Sequence, residues 1–85
     1  MQEIINEKDI WRAAHLGHIV ACNAILEQDP SLINVLDSNC NCCLYMACLG
    51  NHYDCTLFLL NHGAKDVGAR RCYDAAERRI RRLLD

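Results

Sequence analysis

Apolar side chains recur along this chain with the spacing of short helices. Ile10, Ala13 and Ala14 fall at i, i+3 and i+4, and Leu44, Ala47 and Cys48 repeat the pattern. That spacing gathers each trio on one helix face and predicts first helices over about 9–16 and 43–50. Each trio is one large residue followed by two small ones, so a neighbouring helix can come close. A wider apolar stripe follows each time: Val20, Ala21, Ala24 and Ile25, then Leu57, Phe58, Leu59 and Leu60. It predicts second helices over about 19–27 and 53–61. Gly17-His18 and Asn51-His52 separate the members of each pair, and glycine and asparagine best tolerate the left-handed backbone of such a turn. Asp29-Pro30 ends the first pair, and Gly63 the second.

The two pairs are one unit written twice. Asp9 through Ala14 lies over Cys43 through Cys48, His18 over His52, Ala21-Cys22 over Cys55-Thr56, and Ala24-Ile25-Leu26 over Phe58-Leu59-Leu60, all at an offset of 34. A constant offset across four separate blocks marks a repeat protein, in which each unit buries its apolar face only by stacking on the next. The tail is too short for a third full unit. Tyr73, Ala76, Ile80 and Leu83 lie at i, i+3, i+7 and i+10. They predict one amphipathic capping helix over about 71–85, with its arginines outward and the pairs Asp74–Arg78 and Glu77–Arg81 at i, i+4. Residues 2–8 would extend the first helix backwards, with Ile4 and Ile5 covering the other end of the stack.

Ala13-Ala14-His15-Leu16-Gly17-His18 resembles the ankyrin-repeat signature of two alanines, two variable residues, glycine and histidine. Asp37 through Ala47 is similar to that family's finger turn and inner helix, and Gly63-Ala64 to the pair that follows its outer helix. The resemblance covers about residues 9–70 and implies an all-α fold: a short solenoid of two helix-turn-helix repeats, about 7–36 and 37–68, and a capping helix over about 71–85. There are departures. Cys40 stands where the finger has glycine, Cys42-Cys43 where the family has Thr-Pro, and Tyr45 (Trp11 in the first unit) where it has histidine. Thr and Pro ordinarily cap and pre-set the inner helix, so their loss should weaken that helix start by about 1 kcal/mol. More loosely, Leu44-Tyr45, Leu59-Leu60, Arg71-Cys72-Tyr73 and Ile80-Arg81 follow an order similar to the ankyrin modules that precede BTB/POZ domains, proteins thought of as adaptors.

Composition narrows the class. The chain has 85 residues, one domain at most, and 52% hydrophobic content supports a folded core. A single proline and four glycines are too few for an all-β chain full of tight turns. No apolar run approaches the roughly 18 residues of a membrane span, and the first residues lack a signal-peptide pattern. With seven cysteines, an odd count, the expectation is a cytoplasmic or nuclear protein with reduced thiols. The net charge of −2 is uneven: Arg70 onward carries six arginines against three acids, so the first 69 residues carry −5.

Three chemistries can be weighed against this frame. Cys40, Cys42, Cys43, Cys48 and Cys55, with His52 nearby, raise a zinc-binding domain as an alternative. In the repeat register Cys48 and Cys55 are core positions, which leaves too few ligands, so no metal or cofactor is expected. Catalysis needs a base beside a nucleophile and an oxyanion site, and no such set can be assembled; the chain reads as non-enzymatic. The arginine-rich tail could meet nucleic acid, but it has neither aromatic interleaving nor a reading-helix motif.

The resemblance instead implies binding to another protein through finger turns and the concave inner-helix face. The family's variable positions fall here on Ser38, Asn39 and Asn41 of the finger, on His15, Leu16 and Leu49 (with Gly50) of the inner helices, and on Arg70 and Arg71 (with Ala69) of the next finger. Trp11, Tyr45 and Met46 are further apolar candidates, set against the plainer reading that the aromatics pack between repeats. So few repeats should be marginal alone, which leads to the expectation of a module in a longer protein or of self-association.

Overall fold

The computed structural model describes residues 9–85, and among these there are helices and no strands. The expected backward extension over residues 2–8 lies outside the described residues. Helix α1 spans Ile10–His15 and α2 Ile19–Gln28. A 3-10 turn over Pro30–Asn34 leads to the finger, then α3 spans Cys43–Leu49 and α4 Tyr53–Asn61. The inner helices α1 and α3 pack side by side, with α2 and α4 behind them.

Local chemistry sets these boundaries. The Asp9 carboxylate accepts the Arg12 amide at 3.0 Å and caps α1. No side-chain hydrogen bond caps α3 at Cys42, in keeping with the lost threonine. Asp29 ends α2, and its carboxylate accepts the Ser31 amide to open the 3-10 turn at Pro30. Gly17 and Asn51 take positive φ, 71° and 59°, in the turns between paired helices. Asn34 ties the outer ends of the repeats: its Nδ2 donates to the Gly63 carbonyl at 3.1 Å, and its Oδ1 accepts the Lys65 amide at 2.7 Å.

The core joins Ile10, Ala13 and Ala14 to Leu44, Ala47 and Cys48, as the small-residue faces require. The outer helices are rotated from the expected stripe. Cys22, Ile25 and Leu26 face inward from α2, and Cys55, Thr56 and Leu59 from α4, while Val20 is 77% exposed and Ala24 and Leu57 also face solvent. Cysteine behaves as a small hydrophobe, and Cys22 and Cys55 carry the inward face that Val20 was expected to supply. Buried Thr56 is satisfied by its own turn, its hydroxyl donating to the His52 carbonyl at 2.7 Å.

The tail corrects the expected single capping helix. It forms two helices, α5 over Cys72–Ala75 and α6 over Arg78–Leu84, separated by extended backbone at Ala76 and Glu77. Helix α5 packs on α3 and α6 on α4, so the tail is an abbreviated third pair. A continuous helix could not bring Cys72 into the inner layer and Ile80 into the outer one, and both side chains are fully buried. The break also separates the expected pair Asp74–Arg78, and the Arg81 expected on Glu77 turns its Nε to the Tyr73 carbonyl. Asp74 accepts from Arg71 instead, at 2.9 and 3.0 Å, which holds its carboxyl below the usual range. Arg81 donates to the Tyr73 carbonyl at 3.0 Å and lies over that residue's ring, leaving Tyr73 on the surface rather than in the stripe.

Candidate partner-binding surface

The finger that opens at Asp37 is built on one carboxylate. Asp37 Oδ1 accepts the amides of Asn39 and Asn41, each at 2.9 Å, and the Asp37 amide donates to the Asn41 carbonyl at 3.0 Å. An aspartate side chain that mimics a backbone turn in this way is a common means of folding a tip tightly. Ser38 and Asn39 stand exposed at that tip. Asn41 differs from its expected place: it is only 8% exposed, and its Oδ1 is buried without a hydrogen-bond partner. Below the tip the Ala69 amide donates to the Cys40 carbonyl at 2.8 Å, which pins the next finger, with exposed Arg70 and Arg71, beside this one.

Cys40 occupies the glycine position at a price in conformation, with φ at 62°. A left-handed backbone costs a residue with a Cβ about 1 kcal/mol or more, whereas glycine adopts it freely. Cys40→Gly should therefore raise stability by about 1 kcal/mol, allowing for the looser unfolded chain, and a urea melt would show it as a higher midpoint.

The inner-helix candidates are presented as expected. His15, Leu16 and Leu49 are exposed, the two leucines by 40% and 49%. Of the aromatics, Tyr45 is 7% exposed and belongs to the core, and half-buried Trp11 donates its indole N–H to the Val35 carbonyl at 3.0 Å. Both therefore pack between elements. Tyr45 and Leu49 of α3 line a hollow of about 520 Å³ together with Arg70, Arg71, Asp74 and Ala75. It escaped the sequence reading because α5 was not recognised as an inner helix standing beside α3.

Behind this face the histidine turns lock the repeats together. His52 Nε2 donates to the His15 carbonyl at 2.9 Å, bridging the first turn and the second. The cysteine set that suggested zinc does not converge as a whole: Cys43 donates to the Ile33 carbonyl at 3.2 Å and burial pushes its thiol up to about 12, Cys55 contacts Cys22, Cys40 is on the surface, and Cys42 and Cys48 meet Cys72 instead. Arg79 stacks over the Tyr53 ring at 4.8 Å, and with Arg71 on Asp74 and Arg81 on Tyr73 the tail arginines are spread over separate contacts. Among the described residues, no helix is long and apolar enough to cross a membrane.

No curated protein and no solved structure gives a match. The family model for ankyrin repeats (many copies) matches residues 10–60, more than half of the chain, from the start of α1 to the last turn of α4. By that match and by this architecture, the chain belongs to the ankyrin-repeat family.

Proposed function

We propose that the chain is a non-enzymatic binding module that grips a partner protein across the Asp37 finger, the Arg70–Arg71 finger and the inner-helix face. Ankyrin repeats are in general protein-interaction modules. The observation that carries the reading is the hollow between α3 and α5, where exposed Leu49 stands beside Arg70 and Arg71. An apolar anchor beside Arg70, with Arg71 held on Asp74, suits a partner segment with an apolar side chain next to a carboxylate, since aliphatic burial supplies affinity and the Arg70 guanidinium supplies direction. His15, Leu16, Ser38 and Asn39 extend the contact along the same face. The reduced-thiol composition favours a cytoplasmic or nuclear setting, and an adaptor role would follow from the likeness to modules that precede BTB domains.

The test is a pull-down followed by mass spectrometry, comparing the natural chain with Asn39→Lys/Arg70→Glu and with Leu49→Asp. Each variant alters exposed positions, so melting should be unchanged within about 0.5 kcal/mol. A partner retained by the natural chain and lost by both variants supports the surface. Retention by both variants removes it.

A further inference from the structure

Three ligating side chains converge where the third pair meets the second. Cys42 opens α3, Cys72 opens α5, and Asp66 lies in the connection between α4 and α5. One ligand atom from each lies within 4.8 Å of the other two. Both sulfurs belong to fully buried residues and stand 3.9 Å apart. Two thiolates on one tetrahedral zinc ion, each bonded at about 2.3 Å, stand about 3.8 Å apart, so the two sulfurs already span that edge. Asp66 is exposed, and one of its oxygens accepts the Cys72 amide at 3.1 Å. A carboxylate has further lone pairs, so it can keep that bond and still ligate.

We infer that Cys42, Cys72 and Asp66 form a binding site for a divalent metal ion of zinc's character, with its fourth position open to solvent on the Asp66 side. Two thiolates and a carboxylate suit a borderline ion such as zinc better than the hard magnesium or the soft cuprous ion. The amides of Tyr45, Val67 and Gly68 point to the Cys42 sulfur, a polar setting for a metal-bound sulfur. Binding would release the thiol protons still held, up to two, as the metal takes their place. It would also fasten the short α5, which has a single turn of its own, to the start of α3.

The experiment uses the full chain kept reduced with a phosphine. Cobalt(II) is titrated first, and zinc is then added in competition with a chromophoric chelator. One cobalt per chain is expected, with thiolate-to-metal charge-transfer absorption and the visible bands of tetrahedral coordination, all removed by zinc. Cys72→Ser should abolish the charge-transfer band, and Cys40→Ser should leave it intact. Because Cys72 is buried and its replacement also disturbs the core, the surface variant Asp66→Asn carries the decision: zinc affinity should fall about tenfold or more while circular dichroism is unchanged. Cobalt bound without thiolate absorption, or equal affinity in Asp66→Asn and the natural chain, overturns the site.

Discussion

Replacing Gly50 with alanine should unfold most of the protein at room temperature. A Cβ built there would lie 2.4 Å from the His15 carbonyl oxygen and 2.7 Å from His52 Cδ2. The first neighbour is backbone and the second is the ring that bridges the two turns, so neither can yield without breaking the His52 bond. Gly17 faces the same ring from the other side: its Cβ would lie 2.5 Å from His52 Nδ1, and its φ of 71° adds a left-handed penalty. Overpacking of this kind costs about 1–3 kcal/mol, and loss of the bridging hydrogen bond about 1 kcal/mol more. A core this small rarely supplies more than about 3–5 kcal/mol in all. The expected result is a urea midpoint near zero for Gly50→Ala, with Gly17→Ala close behind. A native-like melt for either variant would show that the ring moves aside, and the histidine bridge would then not be the lock between repeats.

The second large effect separates the two helices of the tail. Ile80→Ala removes a fully buried side chain from α6 and should cost about 2–5 kcal/mol. Tyr73→Ala, on α5, removes a ring that is 42% exposed and lies under Arg81, and should cost about 1 kcal/mol or less. Had the tail been one amphipathic helix, both residues would sit on its apolar stripe and both losses would be large. Paired chemical melts of the two variants distinguish these cases directly.

Much of the stack was legible because repeats carry information twice. The inner helices appear within a residue or two of their expected ends, and the left-handed turns fall at Gly17 and Asn51. The outer-helix faces were misjudged from hydrophobicity, which favoured Val20 over Cys22. The 34-residue alignment held the better clue: it sets Cys22 over Thr56, and both are fully buried. The tail was misread because Tyr73, Ala76, Ile80 and Leu83 fit one helical period. The extended backbone at Ala76 has no proline or glycine to announce it; the demand for two packing layers imposes it. That error also hid the Leu49 hollow and the meeting of Cys42 with Cys72, since both need α5 to stand beside α3. Within the finger, the family likeness begins at Asp37, the residue that builds the turn, whereas nothing in the sequence distinguishes buried Asn41 from its exposed neighbours.

The two repeats are bolted together at both ends of α4. His52 crosses to the first repeat at the start of α4, and Asn34 crosses to the second at its finish, about 13 Å further along the axis. One bolt would leave a pivot; two forbid the layers to shear or fan. The curvature offered to a visitor is thus settled before it arrives, and the entropy of ordering falls on the visitor's chain instead. Asn34→Ala would loosen that frame without touching a single surface residue of the grip, and a fall in affinity from so remote a change would measure how much of the binding is owed to stiffness.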